Sequence, residues 1–72
     1  MAFNIGDKVA ARPNVYGIPA GTKGEVRAYW SDDETPDVPY LYVVKFDGVD
    51  PSYRPSKGFE GSLCYPSEIE AA

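Results

Sequence analysis

The sequence predicts an all-β protein, a small barrel of about five strands with long loops, and three observations predict it. Glycine and proline fill 14 of the 72 positions and are spread along the whole chain. They leave one uninterrupted window, residues 25–35, long enough for three helical turns. That window opens as a strand, with Val26, Ala28 and Trp30 alternating with Glu25, Arg27 and Tyr29. It ends as a loop, Ser31-Asp32-Asp33-Glu34-Thr35-Pro36-Asp37. The remaining apolar runs are short and separated by turn signals, the pattern of a small barrel or sandwich. In so short a chain a barrel leaves fewer free strand edges.

The elements follow in order. Asp7 to Arg12 is a first strand with Val9 and Ala11 on one face and Lys8, Ala10 and Arg12 on the other. Thr22 to Trp30 is the second. Tyr40 to Phe46 is the third, with Tyr42, Val44 and Phe46 inward and Leu41, Val43 and Lys45 outward. Gly58 to Cys64 is the fourth, with Phe59 and Leu63 inward and Gly61 between them, where a bent strand tolerates glycine. A short fifth strand at Glu68 to Glu70 inserts Ile69. The expected core is Val9, Val26, Ala28, Trp30, Tyr42, Val44, Phe46, Phe59, Leu63 and Ile69. The connections Pro13 to Gly21, Ser31 to Pro39 and Asp47 to Lys57 exceed the two to five residues of tight hairpins. Extra loop length of this kind is where binding commonly resides.

The 72 residues make one domain, residues 1–72. A chain this short hides only about 60% of its unfolded surface, so a deep substrate cavity would remove much of its core. It has no His, hence no imidazole base and no His-ligated metal. Its single Cys allows neither an intrachain disulfide nor a thiolate metal cage. Ser and Asp without His make no nucleophilic triad. Cys64, with no basic partner, is expected to be a packing residue. The expectation is a non-enzyme with no cofactor and no metal. No apolar run is long enough to span a membrane, and residues 1–7 lack the pattern of a signal peptide. A cytoplasmic monomer or weak dimer is expected.

The order of features resembles the SH3-like barrel. The likeness is carried by Ile5-Gly6-Asp7-Lys8-Val9, Gly21-Thr22-Lys23-Gly24-Glu25-Val26 and Tyr40-Leu41-Tyr42-Val43-Val44-Lys45-Phe46, closing with Phe59, Leu63 and Ser67-Glu68-Ile69. Within that fold, Pro39-Tyr40 running into Val44-Lys45-Phe46, then Phe59 and the Leu63 to Ile69 ending, are similar to the electron-transport accessory group. That group includes photosystem I subunit IV, the ferredoxin–thioredoxin reductase variable chain and the nitrile hydratase β-subunit barrel. The openings also resemble those of small bacterial and phage proteins. The resemblance implies a docking or structural barrel without catalysis. The aromatic cluster by which signalling SH3 domains hold proline-rich peptides has no counterpart here.

Three surface features are candidate sites. Asp32, Asp33, Glu34 and Asp37 form an all-acidic loop, and the rest of the chain balances at seven cations to seven acids. The loop reads as a docking segment, a solvated turn or a weak divalent-cation cluster, although calcium-loop spacing is absent. Lys8, Arg12, Lys23, Arg27 and Lys45 share outward parity and form a basic stripe, the feature of a nucleic-acid or KOW-like barrel. Tyr29, Leu41 and Val43 form an outward apolar patch of the composition found at protein interfaces. Tyr16, Tyr53 and Tyr65 sit in or beside loops. The leading expectation is a protein-binding accessory or regulatory module using Tyr29, Leu41, Val43 and the acidic loop. A nucleic-acid or transcription- and translation-associated barrel using the basic stripe is the alternative. A third reading is an acidic, phage-type inhibitor that mimics nucleic acid.

Overall fold

A computed structural model describes residues 2–15 and 17–72; Tyr16 lies outside the described residues. Five strands form one antiparallel sheet: β1 (Lys8–Ala11), β2 (Lys23–Ser31), β3 (Pro39–Phe46), β4 (Ser62–Cys64) and β5 (Ile69–Ala71). Their order is β4-β3-β2-β1-β5, so the strands that follow one another last in the chain occupy opposite edges. A single 3-10 turn, Pro66–Glu68, joins them. So short a connection is possible only because the sheet curls and brings its edges together, giving a barrel-like, all-β molecule. Arg12 N donates to Glu68 O at 2.9 Å and Tyr65 N to Glu68 Oε1 at 2.7 Å, tying the turn to both flanks.

The concave face carries the core. Val9, Ala11, Val26, Tyr42, Val44, Phe46, Cys64 and Ile69 are each no more than 2% exposed. Period two explains the β1 and β3 contributions, as the sequence led one to expect. The ends of the barrel are closed by chain outside the strands. Ile18 is buried from the first long connection, and Phe3, Val15 and Val49 pack against the same cluster. Phe3 meets Tyr42 edge-on, and its N–H donates to the Tyr42 hydroxyl at 2.9 Å. Much of the extra length in the first and third connections therefore completes the core.

Four expected core residues lie elsewhere, for two reasons. In β2 the register with β3 runs Val26↔Val44 and then Ala28↔Val43, so Arg27 is an extra residue, a β-bulge. The bulge inverts the parity of everything after it. Ala28 and Trp30 leave the concave face for the convex one, and Tyr29 takes the concave-side position opposite Tyr42, where it stays 38% exposed. In β4 the register is Tyr42↔Cys64 and Val44↔Ser62, which turns Cys64 and Ser62 inward. Leu63 then lies opposite Val43 on the convex side and is 45% exposed. Phe59 precedes the strand and is 48% exposed. Val43 keeps its outward parity but is wholly buried.

Gly24 and Gly61 are positions where strands meet too closely for a side chain. A Cβ on Gly24 would stand 2.8 Å from Lys45 O and 2.9 Å from the Phe46 ring. One on Gly61 would stand 2.8 Å from both Val43 Cγ1 and Val44 O.

Phe46→Ala should cost about 3–5 kcal/mol, a large part of the roughly 4–11 kcal/mol available to a domain of this length. Phe59→Ala should cost less than about 1 kcal/mol, because its ring is half exposed. Urea unfolding of both variants checks that Phe59 lies outside the core that holds Phe46; equal losses would contradict it.

Candidate functional site

The convex face divides into a basic half and an apolar half, and the Arg27 bulge marks the boundary. On the basic side, register sets Lys8 of β1 opposite Glu25 of β2, and Glu25 opposite Lys45 of β3. Lys23 and Arg27 flank Glu25 along β2. Lys8, Lys23, Arg27 and Lys45, with Glu25, Asp47, Gly24 and Ala72, line one open depression of about 450 Å³. Four of the seven cations thus meet in one place with two of the eleven acids. Arg12, expected in the same stripe, is not part of this lining.

The cations are held to different degrees. Lys8 Nζ donates to Glu25 Oε1 at 2.6 Å. Lys45 Nζ donates to Val49 O at 3.0 Å and Phe46 O at 3.3 Å, so it is braced against the third connection. Arg27 Nε is buried with no hydrogen-bond partner among the described residues; Glu25 Oε2 stands 3.6 Å away. The Lys8 hydrogen bond, then the charges of Lys8 and Arg27, hold the Glu25 carboxyl below its ordinary pKa. Glu25 therefore stays ionised and keeps the row of like charges together.

The apolar half lies beyond the bulge. Trp30 pairs with Leu41, and its ring meets Tyr53 edge-on at 5.5 Å between centroids. Tyr53 belongs to the third connection and is fastened to Gly61 by two backbone hydrogen bonds of 2.9 Å. Ala28 and Leu63 flank the buried Val43 from either side. The result is a ledge of half-buried Trp30, Leu41 and Tyr53, with exposed Leu63 on it. The returning chain at Gly58 and Glu60 comes alongside Arg27 and Lys45, which joins the ledge to the basic depression.

The patch expected at Tyr29, Leu41 and Val43 is therefore not assembled. Tyr29 is turned to the concave side by the bulge, Val43 is covered, and Leu41 alone of the three contributes to the convex ledge. Trp30 and Leu63 take their place, although hydrophobicity assigns them to the core. No residue in the Glu25 to Trp30 segment announces the bulge. The β4 reversal did carry a signal, since Cys is among the most buried residue types.

Asp32, Asp33, Glu34 and Asp37 all lie exposed at the tip of the β2–β3 hairpin, in two successive turns. Thr35 N donates to Asp32 O at 3.1 Å and Val38 N to Thr35 O at 3.0 Å. No carboxylate of the tip is in a salt bridge among the described residues. Nor do the described residues contain a group of His, Cys, Asp or Glu arranged to hold a metal ion. No helix among the described residues is long and apolar enough to cross a membrane.

Cys64 is fully buried on the concave face. Burial, and secondarily the charge of Glu68, push its thiol up to about 12. A thiol held in the neutral form is a poor nucleophile.

In comparisons with known proteins the chain matches no family model, no curated protein and no solved structure.

The two shifted groups give opposite pH signatures. Glu25, lowered in the folded state, supplies stability that is present above its ordinary pKa of 4.5 and lost as pH falls through its lowered value. Cys64, raised from 9.0, supplies stability that is present below pH 9 and lost as pH rises towards 12. Denaturation midpoints across pH should show the acid-side loss shrink in Glu25→Gln and the alkaline-side loss shrink in Cys64→Ala. Cys64 should also resist thiol reagents until the protein unfolds.

Proposed function

We propose that the chain is a non-catalytic protein-docking module whose contact surface is the convex sheet face. The observation that carries this reading is the apolar ledge of Trp30, Tyr53, Leu41 and Leu63. A sheet face that leaves Leu63 45% exposed and also carries a Trp–Tyr pair has the composition of interface centres. The adjoining Lys8, Lys23, Arg27 and Lys45 add selectivity for carboxylates, so the partner segment combines an apolar side chain with acidic ones. The likeness to accessory barrels that act by docking supports the same conclusion. So does the small size of the domain, which leaves surface as its main chemical resource.

A second reading has one observation in its favour. Cations and aromatic rings share the convex face, the combination used for single-stranded nucleic acid. The net charge of -4 and a pI near 4.5 weigh against it, since a long polyanion meets the repulsion of the whole molecule.

The test is site-specific photocrosslinking in cells that produce the protein. A photoreactive residue at Leu63 should capture a discrete protein, and one at Glu70, in the exposed part of β5, should not. Leu63→Asp should weaken binding of the purified partner at least tenfold, mainly by faster dissociation. Capture of nucleic acid at Leu63, or a partner indifferent to Leu63→Asp, would contradict the reading.

A further inference from the structure

The acidic tip and the basic depression are complementary, and both lie on the β2–β3 hairpin, at its opposite ends. Lys23, Glu25 and Arg27 begin β2 and Lys45 closes β3, whereas the tip follows Ser31. At about 3.3 Å per residue the tip begins roughly 16 Å beyond Arg27 and roughly 30 Å beyond Lys23. The longest dimension of the molecule is 34 Å. The two surfaces therefore cannot meet within one chain, and the depression, with four cations against Glu25 and Asp47, is only partly neutralised from within. The tip has four carboxylates, no cation and no salt bridge among the described residues. It also carries Val38, 62% exposed, immediately after Asp37. An apolar side chain among carboxylates is the chemistry that the convex face selects.

We infer that the occupant of the basic depression is the hairpin tip of a second copy of this chain. The inference rests on the docking reading above and names its partner. Asp32, Asp33, Glu34 and Asp37 of one copy face Lys8, Lys23, Arg27 and Lys45 of the next, and Val38 lies towards the ledge at Leu41. The contact is head-to-tail, so every added copy leaves one free tip and one free depression, and growth is open-ended. Like any contact of exposed charges it is weak and salt-sensitive. Screening confines it to low ionic strength, since the Debye length shrinks from about 30 Å at 0.01 M to about 10 Å at 0.1 M.

Two variants test it, each destroying one surface: Lys8→Gln with Lys23→Glu in the depression, and Asp33→Lys with Glu34→Lys in the tip. All four positions are exposed, and circular dichroism melts should confirm that both variants fold. The readout is sedimentation equilibrium at millimolar protein in low salt and in 0.5 M salt. The parent should show a mass that rises with concentration in low salt and falls to the monomer in high salt. Each variant alone should associate at least tenfold more weakly. Mixed one to one, they should form a heterodimer and nothing larger, because one intact tip meets one intact depression and no further surface remains. A parent that stays monomeric in low salt would overturn the inference, as would a mixture that stays monomeric while the parent associates. Leu63-centred capture of a different protein, together with a monomeric parent, would leave the docking reading standing and remove only the second copy. An oligothymidine 12-mer that binds the parent and loses at least tenfold in affinity in the depression variant, with no self-association, would overturn both.

Discussion

The single extra residue in β2 is the constraint on which the rest of the structure depends. Without Arg27 between Val26 and Ala28, β2 would run in one parity from end to end. Trp30 would then enter a core that already holds Tyr42, Phe46 and two closing loops. With it, β2 has two halves that face opposite ways. The first half contributes Gly24 and Val26 to the core and presents Lys23 and Glu25 to solvent. The second half contributes Tyr29 to the concave side and sets Trp30 on the convex ledge. Bulges add twist and bend the strand, and a curled sheet is what lets a four-residue connection, residues 65–68, join β4 to β5 across its edges. One insertion therefore bears on both the closure of the barrel and the composition of its outer face.

The same constraint explains why the convex face is unusual. A curled sheet of five strands over a chain of this length covers only one side fully, and the long third connection partly covers the other. Tyr53 reaches Trp30, Gly61 lies close against Val43, and Lys45 braces the start of the connection at Val49. The cover stops short of Leu63. Beside it the cations are gathered by Glu25, whose carboxylate is shared between Lys8 and Arg27 and faces Lys45 across the ladder. Apolar and basic surface adjoin because the chain that returns through Gly58 and Glu60 passes next to Arg27.

Sequence patterning made the strands legible and their facing only partly so. Glycine and proline spacing marks the connections, and the alternation in Lys8–Ala11 and Tyr42–Phe46 places Val9, Ala11, Tyr42, Val44 and Phe46 correctly. Alternation cannot register an inserted residue when both parities offer plausible side chains, and Val26-Arg27-Ala28-Tyr29-Trp30 offers them. In β4, ranking by hydrophobicity favours Leu63 over Ser62 and Cys64. The register with β3 decides otherwise, and register is a property of two strands together. The basic stripe was visible as outward parity, but its convergence on one depression depends on β1, β2 and β3 lying side by side. The acidic tip was legible as a loop, while its distance from that depression is known only from the hairpin.

The position of the one tryptophan tests this account most directly. Trp30 is the only indole in the chain, so its fluorescence reports the outcome of the bulge without any labelling. The account predicts an indole that acrylamide quenches readily in the isolated protein and that becomes protected when the convex face is occupied. Deleting Arg27, which restores a single parity to β2, should abolish that accessible state or prevent folding. An indole in the parent protein as shielded as a sealed core residue would contradict the account, because Trp30 would then lie on the concave side and the convex ledge would not exist.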